Sequence, residues 1–180
     1  MRAGPGLGGR IMDIITALAV SISVLGGIAA YAFLSPFGMG LQIWAAFVGW
    51  ATFYHCGGKE AGLAKTITHN IFGAVMALVL LLLVTQVPLG ATLGLPLWAG
   101  IGVVITVFIV VIVAKWPMLS DIPASFYGFA SVVALALVGG KLAVTTVSLD
   151  NPFINIVISL VIGAALGYVS QKAALSLAKK

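Results

Sequence analysis

The chain has 180 residues, of which 62% are apolar and only 7% charged, with a net charge of +5 and a mean hydropathy of +1.22. A water-soluble domain carries about a quarter charged residues. This composition therefore excludes a soluble enzyme and a disordered or fibrous chain, and leaves an integral membrane protein. The single cysteine, Cys56, excludes an intramolecular disulfide and a cysteine-based metal cluster.

A membrane helix needs about 20 mostly apolar residues. Arg2 and Arg10 precede the first candidate, Ile11–Leu34. That run exceeds the about 7–15 residues of a signal-peptide core, so it reads as a retained first span. The second, Leu41–Cys56, is short and ends at Gly57-Gly58-Lys59. The third, Lys65–Gln86, is closed by Pro88 and Gly90, and the fourth, Leu95–Ala114, by Lys115-Trp116-Pro117. The fifth, Ile122–Val138, stops at Gly139-Gly140-Lys141, and the sixth is Pro152–Gln171. Glycine and proline punctuate nearly every boundary, as loops require. The expected fold is all-α: a six-helix membrane domain over 11–171, with tails at 1–10 and 172–180.

Six spans place both termini on one side. Putting that side in the cytoplasm gathers Arg2, Arg10, Lys59, Lys65, Lys115, Lys172, Lys179 and Lys180 there and leaves only Lys141 opposite. This asymmetry is the positive-inside pattern. Trp44, Trp98, Trp116 and Tyr168 lie towards span ends, where aromatic rings anchor at the interface.

An octamer recurs. Residues 45–52 read AAFVGWAT and residues 124–131 read ASFYGFAS. Ala45/Ala124, Phe47/Phe126, Gly49/Gly128 and Ala51/Ala130 are identical pairs. Each copy is followed by Gly-Gly-Lys, then by His69-Asn70-Ile71-Phe72 in the first half and Asp150-Asn151-Pro152-Phe153 in the second. The copies fall in the second and fifth spans, giving repeats over 11–86 and 95–171. Three spans per repeat invert the second half, and inverted repeats are a recurrent plan of transporters, with the pathway where the repeats meet.

The paired motifs supply candidate pathway-lining residues: Phe47, Gly49, Trp50 and Thr52 in one copy, Phe126, Gly128, Phe129 and Ser131 in the other. The glycines permit close approach, the rings can form an apolar constriction, and the hydroxyls can replace lost hydrogen bonds or bond their own helix backbone. Polar groups within membrane spans are costly and mark function by default, which makes His69, Asn70, Asn151 and Asn155 candidates for a polar gate or proton site. Asn151 before Pro152 also reads as a helix N-cap, and Asp13 and Asp121 stand where acidic residues cap helices. Gly163 and Gly167 form a small-residue face for the fold or for a subunit contact. There is no phosphate loop, metal-binding histidine pair or hydrolase triad. No cofactor, metal, nucleic acid or enzymatic activity is expected.

On the stretch IWAAFVGWATFY, the later DIPASFYGFAS and the ending NIVISLVIGAALGYVSQK, the sequence resembles a family of small bacterial inner-membrane proteins catalogued as domain of unknown function 1097. The resemblance covers nearly the whole chain after MRAGPGLGGR. It implies a bacterial inner-membrane protein of about six spans and adds nothing on substrate. The expectation from the residues is a small channel or facilitator for a small neutral or weakly polar solute, surrounded by lipid and assembled as a homo-oligomer. The alternatives are a proton-coupled secondary transporter and a non-transporting accessory subunit that binds lipid, pigment or a larger complex.

Overall fold

The computed structural model describes residues 12–178. The expected tail over 1–10, with Arg2 and Arg10, lies outside them, as do Lys179 and Lys180. Six principal helices follow in order: α1 (Ile14–Leu34), α2 (Ile43–His55), α3 (Lys59–Gln86), α4 (Leu95–Ile112), α5 (Ile122–Leu137) and α6 (Pro152–Ala178). Single helical turns at Pro36–Gly38, Gly90–Leu93, Val113–Lys115 and Pro117–Leu119 join some of them. No strand occurs among the described residues.

Local chemistry sets the ends. Asp13 accepts the N–H groups of Ile15 and Thr16 at the start of α1, and Asp121 accepts that of Ala124 at the start of α5. Asn151 accepts the Phe153 N–H at the start of α6, where Pro152 occupies the first helical position. The α2–α3 turn uses Gly57 and Gly58 at φ of 90° and 67°, a region open to glycine at little cost. Two helices run further than the apolar pattern suggests. α3 begins at Lys59 rather than Lys65, and α6 continues to Ala178, because charged residues end an apolar run without ending a helix.

Four helices are long and apolar enough to cross a membrane: α1, α3, α4 with its following turn, and α6. They make the chain a multi-pass membrane protein. At 13 and 16 residues, α2 and α5 extend about 20 and 24 Å, short of a hydrocarbon core of about 30 Å.

α3 and α6 cross at the centre. α2 packs along α6 and α5 along α3, while α1 backs onto α6 and α4 onto α3. The directions are read from paired contacts. Gly49 and Tyr54 of α2 meet Leu160 and Ser170 of α6 in the same sense, so these two helices are parallel. His69 and Gly73 of α3 meet Asp121 and Ser125 in the same sense, so α3 and α5 are parallel too. Glu60 at the start of α3 bonds Lys172 near the end of α6, which makes α3 and α6 antiparallel. Hence α2 and α5 also run in opposite directions.

Two close crossings hold this arrangement. Gly49 of α2 lies against the Leu160 carbonyl, and Gly163 of α6 against the Ala46 carbonyl. Gly128 of α5 lies against the Asn70 carbonyl, and Gly73 of α3 against that of Ser125. At all four positions an added Cβ would overlap the opposing oxygen, so only glycine lets the backbones touch. Gly167 is filled by the Phe53 ring, so the Gly163–Gly167 face is spent on α2 within the chain.

Alanine at Gly49, Gly73, Gly128 or Gly163 should lower the melting temperature in detergent by the equivalent of about 1–3 kcal/mol. Gly27→Ala and Gly100→Ala, where a new Cβ meets nothing within 4 Å, should be neutral or slightly stabilising, since glycine weakens a helix by roughly 0.5–1 kcal/mol. Differential scanning fluorimetry of the six variants checks the contrast.

Candidate functional site

A helix start leaves backbone N–H groups without intrahelical partners, and a start packed among other helices needs a side chain to take them. α2 and α5 solve this identically in geometry and differently in chemistry. The Asp121 N–H donates to His69 Nε2 at 3.0 Å, and His69 Nδ1 pairs with the Lys65 carbonyl at 2.7 Å. With Nε2 accepting, the ring proton sits on Nδ1. At the opposite end of the bundle the Gln42 N–H donates to Ser159 Oγ at 3.0 Å, and that hydroxyl donates to the Asn155 carbonyl at 2.8 Å. In both, a side chain of the adjoining long helix is fastened to its own backbone four residues earlier and receives the N–H at the start of the short helix.

The two ends differ in charge. Around Asp121 stand Lys65 Nζ at 2.8 Å, His55 Nε2 at 3.3 Å, the Ala124 N–H at 3.1 Å and Cys56 Sγ at 3.9 Å. Burial disfavours the Asp121 carboxylate, but the Lys65 ammonium, the Ala124 N–H and the nearby His55 outweigh it and hold its pKa below the ordinary 3.8. At the other end Gln42 is neutral. Its amide donates to the Gly40 carbonyl and accepts from Trp44 Nε1. Among the described residues, no group of three His, Cys, Asp or Glu side chains converges to hold a metal.

The residues singled out in the sequence fall into three settings. Gly49 and Gly128 sit in the helix crossings. Trp50, Thr52, Phe129 and Ser131 are buried: Trp50 Nε1 donates to Ser170 Oγ at 3.1 Å, Thr52 Oγ1 to its own Val48 carbonyl, and Phe129 belongs to the core. Phe47 is 45% exposed beside Gly26 of α1, 6.2 Å from the Trp50 ring, while Phe126 is half-buried against the core, 6.3 Å from Phe129. Both His69 nitrogens serve backbone groups. Asn151 caps α6 and donates to the Val144 and Thr146 carbonyls. Asn155 donates to the Gly40 and Leu149 carbonyls and so ties the α1–α2 loop to the α5–α6 loop. Asn70 is fully buried and its amide finds no partner among the described residues. Trp98, expected at the interface, is buried and donates to the Leu83 carbonyl.

Sequence reasoning missed Ser159 and Thr66. Ser159 looks like any helical serine, because its partner is a backbone group 117 residues away. Thr66 carried a signal, standing four residues before Asn70 on one helix face.

α2 and α5 leave a seam between them on the open side. One apolar depression of about 260 Å³ is lined by Gln42, Trp44, Ala134, Leu135, Val138 and Gly139. A second of about 240 Å³ is lined by Val48, Ala51, His55 and Tyr127. The His55–Asp121 contact closes the seam at the charged end.

Residues 19–175 match the family model described as "Protein of unknown function (DUF1097)", and the chain belongs to that family. No curated protein matches it, and no solved structure does.

Because its folded-state pKa is depressed, Asp121 contributes stability that is present above about pH 4 and lost as pH falls through the folded value. Asp121→Asn should cost about 1.5–3 kcal/mol at neutral pH, the range for hydrogen bonds to a charged group, and should flatten the acid limb of the stability profile. Melting temperatures of the two proteins across an acid pH series test this.

Proposed function

We propose that this DUF1097 protein is a channel or facilitator for a small neutral or weakly polar solute, not an enzyme, built from two inverted repeats, α1–α3 and α4–α6. The reading rests chiefly on the reciprocity of the contacts. Gln42, Ala46 and Gly49 correspond to Asp121, Ser125 and Gly128 at one constant offset. Ser159, Leu160 and Gly163 correspond to His69, Asn70 and Gly73 at another. Under this exchange each helix crossing maps onto the other, and so does each helix start. The correspondence sets His69 against Ser159, and the likeness of residues 69–72 to 150–153 plays no part in it. Both short helices follow loops with exposed apolar tips, Phe37 and Met39 before α2 and Trp116 and Met118 before α5. The chain then crosses six times, with these loops at the ends of its two shorter crossings.

Passage follows the α2–α5 seam, flanked by Phe47–Thr52 and Phe126–Ser131, and a second copy of the chain closes its open side. The membrane is the bacterial inner membrane, with both termini in the cytoplasm. The Asp121 end carries Lys59, Lys65, Lys115 and Lys172, and Lys141 lies at the other, which suits that orientation. A proton-coupled carrier acting through His69 has less support, because both ring nitrogens are committed to backbone.

Purified protein in liposomes should speed the equilibration of water, urea or glycerol above that of protein-free liposomes in stopped-flow light scattering. Ala51 is small and exposed on the seam. Ala51→Trp should therefore block flux while leaving the melting temperature unchanged, and a wild type that conducts none of the three solutes would overturn the proposal. In a Cys56→Ala background, Lys115→Cys should label only from the cytoplasm and Lys141→Cys only from outside. The reverse pattern would invert the topology.

A further inference from the structure

Three buried polar atoms in the first half of α3 find no hydrogen-bond partner among the described residues: Thr66 Oγ1, Asn70 Nδ2 and Asn70 Oδ1. Thr66 is 0% exposed and Asn70 2%. Four residues apart, they share one face of the helix. Other buried hydroxyls turn back to a carbonyl of their own helix, as Thr52 does to Val48, Thr106 to Gly102 and Ser159 to Asn155. Thr66 does not. The Cys56 thiol beside it is only a weak hydrogen-bonding group. Unpaired polar atoms in a core cost stability, and native proteins satisfy nearly all of theirs.

The other half of the molecule shows that the fold has no need of them. At the offset that relates α3 to α6, Thr66 and Asn70 correspond to Ile156 and Leu160. Those two are 0% and 1% exposed and belong to the apolar core. The Leu160 carbonyl receives Gly49 just as the Asn70 carbonyl receives Gly128. One crossing is packed with aliphatic side chains, and its counterpart holds a hydroxyl and an amide with unspent hydrogen-bonding capacity.

We infer that Thr66 and Asn70 form a binding site for one small uncharged molecule that both donates and accepts hydrogen bonds, such as water, a small amide or a polyol. The amide offers two donors and an acceptor, and the hydroxyl offers one of each. No ionised group belongs to the pair, because the nearby Asp121 carboxylate is engaged by Lys65, His55 and the Ala124 N–H. Asn70 lies five residues beyond Lys65, about 7–8 Å deeper along the helix, and so stands inside the bundle. The assignment of this site to a passing solute rests on the facilitator reading. The site itself does not.

The experiment uses the full chain and two readouts. With ¹⁵N-labelled asparagine, the Asn70 side-chain amide, assigned by its loss in Asn70→Leu, should show cross-relaxation to water or to added urea or glycerol. In liposomes the Thr66→Ile/Asn70→Leu double variant, which copies the residues of α6, should conduct about tenfold less than wild type, the factor carried by one net hydrogen bond. It should melt at the same or a higher temperature. An amide that contacts none of the three molecules would overturn the inference and leave the facilitator reading standing, whereas an occupied amide in a protein whose double variant conducts as wild type would sustain the site and remove its assignment to a passing solute. An occupied amide in a protein that conducts nothing would sustain the site and remove the facilitator reading.

Discussion

Backbone touching backbone at two glycine-lined crossings is the contact on which the rest of this structure depends. Lipid tails are as apolar as leucine, so no hydrophobic drive pulls apolar helices together within a bilayer; close van der Waals packing has to serve instead. Gly49 with Gly163, and Gly73 with Gly128, bring α2 onto α6 and α5 onto α3 so closely that an added Cβ would overlap the facing carbonyl. The seam, the buried Trp50 and Phe129 rings and the position of Asn70 all follow from where those crossings fall.

The short helices then face a problem that packing cannot solve, because each begins with unpaired amides inside the bundle. His69 and Ser159 show how two different side chains can answer one geometric demand. An imidazole ring spans the gap with its two nitrogens, one to each backbone group, whereas a hydroxyl does so with a single oxygen that donates once and accepts once. The histidine is therefore explained as a brace. The ionisable chemistry of that end belongs to Asp121, which gathers α2, α3 and α5 through His55, Lys65 and its own cap.

Much of the helix layout was legible in the sequence, because glycine and proline mark breaks that apolar residues alone would blur. Leu95 and Ile122 begin α4 and α5 where the pattern places them. The extent of α3 and α6 was less legible, since Lys59, Glu60 and Lys172 interrupt apolarity but not helicity. The candidate site was legible only in outline. Polar residues within apolar runs drew attention to His69 and Asn70 alike. Which of them is spent on the backbone and which keeps its capacity depends on the approach of Asp121 from a distant segment. Sequence periodicity carries no trace of a side chain that meets a backbone amide more than a hundred residues away.

The shortness of α2 and α5 reaches beyond the protein into the lipid around it. On the flanks formed by α1 and α4, the apolar wall is tall enough to match an ordinary bilayer. Along the seam it is lower by about a third on the α2 side, and the polypeptide there ends in loops carrying Phe37 and Trp116. A membrane conforms to such a mismatch by thinning, at a cost of fractions of a kcal/mol for each ångström. The molecule thus imposes an uneven belt on its surroundings, and membrane thickness becomes a variable to which it responds. Thinner bilayers relieve the deformation beside the seam, and two copies that bring their seams together remove it.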